Sequence, residues 1–294
     1  MVRQLYFKAD SPIDIGEQMF VTTFKIITSM LWGDALEGET GRFTTVEVSQ
    51  VMDSAVMLFG EPNIFDLFPA LAWLDIQGIG LRMKKKEVMT TGSRSTSSTV
   101  EWAMVELLKR PDMMMKAQGE MEEVVGLNNT AEESRLPKLH YLCRVVKEVR
   151  LHPPAPFLIP RCPCASCTIG GFMVPKGPKV IVNAWAIQRD PIAWINPLEF
   201  QPERFLRSVD DEYEFSGKDY RHIPFGSGRR VCVGIPMAER MIPYLVATIL
   251  DSFKWQLPNG VELDMSDKFG LELKKATPLV VISSSKLSDF TLYN

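Results

Sequence analysis

The order of apolar and polar positions divides the chain into a helical first half and a mixed second half. From Ile13 to Trp32 apolar residues recur on a helical period behind the turn-forming pair Ser11-Pro12. A second amphipathic stretch runs from Thr45 to Phe59, stopped by Gly60 and Pro62, and Ile64 to Leu74 is short and strongly apolar. Glu87 to Leu108 predicts a long helix, Pro111 stands where the next would begin, and Asp112 to Val125 carries that pattern to a stop at Gly126. Leu139 to Arg150 predicts a further helix, closed by His152-Pro153-Pro154.

From Ala155 to Asn183, Pro, Gly and short β-branched runs alternate. Thr168 to Val174 and Val180 to Val182 predict short strands joined by the turn Pro175-Lys176-Gly177. Asn196 to Tyr220 is irregular, and Ile235 to Phe253 returns to a helical pattern. Leu271 to Leu273 with Leu279 to Ile282 predicts a terminal hairpin. The expected fold class is mainly α with a small β component.

Composition narrows the field. A length of 294 residues allows one large domain or two ordinary ones, and 46% hydrophobic with 23% charged residues suits a globular chain with a sizeable core. The net charge is −3, from 33 Lys and Arg against 36 Asp and Glu. That lacks the basic excess of a dedicated nucleic-acid binder, so no nucleic-acid partner is expected. No run reaches the roughly 18 apolar residues of a membrane span; Met19 to Trp32 is shorter and contains Lys25. The opening MVRQLYFKADSP has no apolar region of a signal peptide. Five Cys, an odd count, points to reduced thiols or a liganded thiolate.

The segment with most chemical content is Pro224-Phe225-Gly226-Ser227-Gly228-Arg229-Arg230-Val231-Cys232-Val233-Gly234. Gly226 and Gly228 allow a tight turn and close backbone approach to a flat ligand. Arg230 and the start of the next helix favour a thiolate on Cys232, and a thiolate ligates a soft or borderline metal such as haem iron. Two other readings stay open on the residues alone. A Gly-Ser-Gly run can cradle phosphate, although the Lys-Ser/Thr of a P-loop is missing, and the segment can be an ordinary loop around a buried Cys.

The segment resembles the haem-binding signature of the cytochromes P450, Phe-x-x-Gly-x-Arg-x-Cys-x-Gly, with every fixed position matched by Phe225, Gly228, Arg230, Cys232 and Gly234. Phe200-Gln201-Pro202-Glu203-Arg204-Phe205 looks like the family's Pro-Glu-Arg-Phe meander. Pro160-Arg161, Pro175-Lys176-Gly177, Asn183 to Ile187 and Arg189-Asp190-Pro191 are similar to plant microsomal members. Val125 to Asn129 and Pro236 to Met241 are most similar to the group that includes sesquiterpene hydroxylases.

The resemblance implies a partial cytochrome P450-like fold over residues 1–294 as one domain, holding haem b (iron protoporphyrin IX). Cys232 would be the metal ligand, its thiolate favouring O–O cleavage. Phe225, Gly226, Gly228, Gly234, Arg230 and Arg161 would bind the cofactor, the two arginines through its propionates. It implies a monooxygenase that inserts one oxygen atom from O2 into a small hydrophobic substrate, terpenoid by the subgroup. Electrons would come from NADPH through NADPH-cytochrome P450 reductase. The full-length family sits at the endoplasmic reticulum membrane surface; a chain with no transmembrane anchor is expected to be cytoplasmic.

Departures from the pattern predict impairment. The family's Glu-x-x-Arg is shortened to Glu148-Val149-Arg150, and residues two apart lie about 200° apart around a helix. The cluster of Glu148, Arg150 and Arg204 is therefore not expected unless the helix end unwinds. The distal Ala/Gly-Gly-x-Asp/Glu-Thr is replaced by Thr91-Gly92-Ser93-Arg94-Ser95. Ser95 keeps a hydroxyl beside Gly92, whereas Arg94 cannot relay protons as a carboxylate does and would put a positive charge near the oxygen pocket. The early helices are expected to be missing, with an internal deletion near 81–87 at the basic run Leu81 to Glu87. These features favour an alternative, a non-catalytic remnant that at most binds haem. Cys162-Pro163-Cys164-Ala165-Ser166-Cys167 invites a zinc reading but lacks a second ligand pair at the required spacing. Cys143 reads as core, Met113-Met114-Met115 as helix packing, and His140, His152 and His222 as turn or backbone partners.

Overall fold

The computed structural model describes residues 1–33, 87–126, 129–206, 215, 217–270, 272–287 and 290–293. The stretches expected over Thr45 to Phe59, Ile64 to Leu74 and the basic run to Lys86 lie outside the described residues. The elements in chain order are α1 (Val2–Phe7), β1 (Pro12–Asp14), α2 (Ile15–Trp32), α3 (Glu87–Lys109), α4 (Pro111–Val124), α5 (His140–Glu148), β2 (Cys167–Ile169), β3 (Phe172–Val174), α6 (Ala184–Ile187), α7 (Ile235–Ser252), β4 (Phe253–Gln256), β5 (Asp267–Lys268), β6 (Lys274–Lys275) and β7 (Val280–Ser285).

Local signals set most helix ends. Asp14 caps α2, its Oδ1 accepting the Glu17 N–H at 2.9 Å. Ile13 and Asp14, expected to open the helix behind the turn Ser11-Pro12, instead pair with β7 together with Pro12, Ile13 opposite Val281. Pro111 opens α4, where its missing N–H costs no helical bond. Helix α3 packs along α2, and the two are tied by the Thr23 hydroxyl donating to the Ser93 carbonyl at 3.2 Å. Trp102, Met104 and Leu107 of α3 are fully buried with Met121, Leu139, Phe200 and Phe253, in one apolar core spanning α1 to α7. Burial of such side chains is worth about 1.5–3 kcal/mol each before conformational entropy is charged against it.

The sheets differ from the sequence expectation. Strands β2 and β3 form a hairpin that turns at Gly170-Gly171, both at positive φ (56° and 85°), and not at Pro175-Lys176-Gly177. Val180 instead makes a lone bridge to Arg161. Among the described residues the expected pairing of 271–273 with 279–282 is not seen: β6 pairs with β5, while β7 is the centre of a three-stranded antiparallel sheet ordered β1-β7-β4. Chain start and chain end therefore meet in one sheet. That junction rests on a buried carboxylate of α3. Glu101 Oε1 accepts the Leu279 N–H at 2.9 Å, and a Cβ at Gly16 would stand 2.8 Å from Glu101 Oε2, so only glycine leaves room there. Burial raises the Glu101 carboxyl to about 7, against the pull of the Leu279 N–H, Lys275 and Lys274 and with a further push from Asp14.

Candidate active site

The loop that carries Cys232 is built from backbone. Gly226 and Gly228 take φ of +76° and +68°, values a side chain resists. A short 3-10 turn over Gly228–Arg230 follows, closed by the Val231 N–H on the Gly228 carbonyl at 3.0 Å. The Cys232 N–H donates to the Phe225 carbonyl at 3.0 Å, and the Gly234 N–H donates to Cys232 Sγ at 3.3 Å. Helix α7 starts immediately after, at Ile235. The thiol is exposed, and Val233 beside it is 98% exposed.

The predicted cofactor-binding residues collect around this sulfur. Gly234 packs against it, a Cβ there lying 3.5 Å from Sγ. Arg161 Nη1 donates to the Ser227 carbonyl at 3.3 Å, and its Nη2 would be 3.4 Å from a Cβ at Gly226. Arg230 is exposed at the loop's edge. The Phe225 ring meets Phe215 edge-on at 5.1 Å. Gly217 has no sequence signal of its own, yet a Cβ there would stand 2.6 Å from the Gly226 carbonyl, and the Ser227 hydroxyl donates to the Gly217 carbonyl at 2.6 Å. A second strand of backbone thus seats the loop from below.

The Glu148 cluster forms, which corrects the sequence expectation. After Glu148 the chain tightens into a 3-10 turn over Val149–Leu151, held by the His152 N–H on the Val149 carbonyl at 2.7 Å. Each residue then turns about 120° instead of about 100°, which swings Arg150 back toward Glu148. Glu148 Oε1 accepts from Arg204 Nε at 2.8 Å, from the Gln201 N–H at 3.0 Å and from Arg150 Nη2 at 3.2 Å. Arg204 also donates to the carbonyls of Ile195, Asn196 and Glu199, and Arg150 to those of Gln188 and Pro197. Glu148 and Arg150 are buried, and the Arg150 guanidinium lies 4.2 Å over the Trp194 ring. Burial raises Glu148 to about 6 against the pull of Arg150, the Gln201 N–H and Arg204.

On α3, Gly92 and Ser95 meet across one turn, the Ser95 hydroxyl donating to the Gly92 carbonyl at 3.5 Å. Gly92 also lets α2 approach, since a Cβ there would be 3.2 Å from Ile27 Cδ1. Arg94 directs its guanidinium at the Phe20 ring of α2, at 4.9 Å.

Of the three histidines, His152 departs from the expectation of a turn or backbone partner, whereas His222 keeps a backbone hydrogen bond with Lys147. His152 stacks on Trp102 with ring centroids 3.7 Å apart, and its Nε2 is 2.8 Å from Glu106 Oε1. Glu106 also binds Arg110 one turn along α3. Burial would raise the Glu106 carboxyl, but His152 and Arg110 hold it below its ordinary value, while burial lowers His152 despite Glu106. The i,i+4 spacing of Glu106 and Arg110 was the only sequence signal for this network. His222 is buried among Trp194, Phe205 and Phe215, and burial, with Lys147 and Arg150, lowers it to about 3, so the ring is neutral. Cys143 is half-buried, and burial raises its thiol. Met113 and Met114 pack against the core, whereas Met115 is exposed. Among the described residues no group of three or more His, Cys, Asp or Glu could hold a metal ion, and no helix is long and apolar enough to cross a membrane.

One soft sulfur donor with an amide on it and two arginines at or beside the same loop could hold an anionic, metal-bearing cofactor through the sulfur. Such a set on a mainly helical scaffold is consistent with the class of thiolate-ligated haem proteins. Residues 79–282 match the family model for cytochrome P450, and the chain belongs to that family. It is 36% identical to geraniol 8-hydroxylase of Catharanthus roseus over 330 residues, covering 93% of this chain and 66% of that relative. It is 32% identical to flavonoid 3'-monooxygenase of Arabidopsis thaliana over 349 residues, covering 98% and 68%. The chain thus spans about two thirds of the length of these relatives. Both alignments are longer than the chain, so they pass over stretches of the relatives that have no counterpart here. A solved structure of a zebra fish cytochrome P450 with abiraterone superposes with a TM-score of 0.75 at 25% identity, covering 96% of this chain and 74% of that one.

Proposed function

We propose that the chain is the haem-binding portion of a monooxygenase that inserts one oxygen atom from O2 into a small hydrophobic substrate. The observation that carries this reading is Cys232 Sγ, exposed ahead of α7 and accepting the Gly234 N–H. Haem bound through that sulfur would supply the redox chemistry for dioxygen. This chain's residues would do the rest. Cys232 would hold the metal, with the Gly234 N–H tempering the charge on its sulfur. Arg230 and Arg161 would pair with the propionate carboxylates. Glu148, Arg204 and Arg150 would fix the segment 195–204. Ser95 offers a hydroxyl on the distal helix. The names of the relatives, a geraniol hydroxylase and a flavonoid monooxygenase, support a compact, largely apolar substrate. Electrons would come from NADPH through a reductase, as the family implies.

We further propose an internal deletion near 81–87, at the basic run that precedes the distal helix. Arg94, packed on Phe20 where the family has a carboxylate, supports a second reading, a haem-binding remnant without turnover. A haem-reconstituted sample, reduced and treated with CO, tests the first claim: the red-shifted Soret band of a thiolate complex is expected, and its absence overturns the assignment of Cys232. Product assays with a reductase separate enzyme from remnant, since oxygenated product above background excludes the latter.

A further inference from the structure

The run Cys162-Pro163-Cys164-Ala165-Ser166-Cys167 takes no part in the site above. All three thiols are free and exposed, within a loop whose conformation is held from several sides. Arg161 at its start exchanges backbone hydrogen bonds with Val180 at 2.9 and 2.7 Å. The Ser166 hydroxyl accepts the Lys176 N–H at 3.0 Å, and the Gly177 N–H donates to the Pro163 carbonyl at 3.3 Å. The chain bends at Cys164 and Ala165 before Cys167 enters β2. Two residues separate Cys164 from Cys167, the spacing of redox-active dithiols. Cys162 is placed differently. Its Sγ donates to the Gly177 carbonyl at 3.1 Å, and Pro163 stiffens the one residue between it and Cys164.

We propose that Cys164 and Cys167 form a redox-active dithiol that low-molecular-weight disulfides, such as glutathione disulfide, oxidise to an intramolecular disulfide. The thiolate of one cysteine attacks a sulfur of the oxidant, whose S–S bond breaks and releases one glutathione, which takes up the proton. The second cysteine, deprotonated, attacks the mixed disulfide and releases the other glutathione. Two protein thiols are oxidised, and one glutathione disulfide is reduced to two thiols. A small exposed ring of this kind belongs to the labile class of disulfides with high potential, reduced at a cytosolic poise and closed under oxidative load.

The test uses the full chain, reduced, desalted, equilibrated with graded ratios of glutathione disulfide to glutathione, and then alkylated with a maleimide. Trypsin cleaves after Arg161 and Lys176 and leaves all three cysteines on one peptide. At oxidising ratios that peptide is expected to lose two hydrogens and take up a single alkyl group, on Cys162. Cys162→Ser should keep the ring, while Cys164→Ser and Cys167→Ser should yield only a glutathione adduct. The proposal is overturned if the native peptide takes up three alkyl groups at the most oxidising ratio. Stable glutathione adducts on the native chain, or a ring that survives Cys164→Ser, overturn it equally.

Discussion

The Cys232 loop and the Gly92 to Ser95 helix segment hold their chemistry in opposite ways. Around Cys232 every turn is fixed by backbone: glycines at positive φ, a carbonyl of Phe225 and an amide of Gly234. At Glu148 a 3-10 turn likewise gives Arg150 its reach by rewinding the main chain. At Gly92 to Ser95 the geometry is an undisturbed helix, and what changes is side-chain chemistry, Arg94 where a carboxylate is expected. Backbone-built sites absorb a length change by local rewinding. A site defined by the charge of one side chain has no such recourse.

The largest effect expected on either region is at the sulfur. Cys232→Ala should abolish the red-shifted CO band completely while leaving the far-ultraviolet circular dichroism unchanged, since the thiol is exposed and the loop is held by main chain. Retention of the band would move the axial ligand elsewhere and end the comparison.

Next comes the support. Arg204→Ala leaves Glu148 with one ion-pair partner and a buried carboxylate short of hydrogen bonds. Breaking a buried pair in this way costs about 3–5 kcal/mol. Urea denaturation should show that loss, and haem retention should fall with it. A cost below about 1 kcal/mol would mean that the rewound turn at Val149 is not what holds the segment in place.

A third test sets the sheet junction against both. Glu101 is protonated more readily folded than unfolded, its carboxyl raised from 4.5 to about 7. The corresponding stability is fully present below about 4.5 and is lost as pH rises through about 7, on the order of 3 kcal/mol. Glu101→Gln should flatten the pH dependence of the denaturation midpoint across that window. An unchanged slope in the variant would assign the titration to another group, such as Asp251, which burial raises to about 6.

The sequence made the helices legible because their signals are local: Pro111 at a helix start, Gly126 at a stop, an apolar period between. It made Cys232 legible because a loop built on glycines leaves its requirements in residue identity. The central sheet was not legible, since β7 pairs with a three-residue strand near the other end of the chain, Pro12 opposite Ile282, and no local period marks such a partner. The Glu106–His152 pair was missed for the same reason, its halves being 46 residues apart. The Glu148–Arg150 contact has no signal in an α-helical period, because the chain tightens into a 3-10 turn over Val149–Leu151 ahead of Pro153-Pro154.

The smallest effect on stability carries the sharpest information about function. Arg94→Asp removes one guanidinium from the face of Phe20, worth about 0.5–1 kcal/mol, so the fold should tolerate it. It returns to the distal helix a group that can take up and release protons, which an arginine cannot do. With haem, reductase and NADPH present, the fraction of consumed electrons recovered as hydrogen peroxide should fall. Product per NADPH should rise, because a positioned proton donor typically contributes about 10²- to 10⁴-fold to the rate of the step it serves. Ser95→Ala made in the Arg94→Asp background should reverse part of that gain, because the two groups would then share one proton route along a single turn of α3. If the peroxide fraction is the same in both variants and in the native chain, side-chain chemistry on the distal helix is not what limits turnover. The difference between the two regions would then lie in the stretches that the relatives carry and this chain lacks.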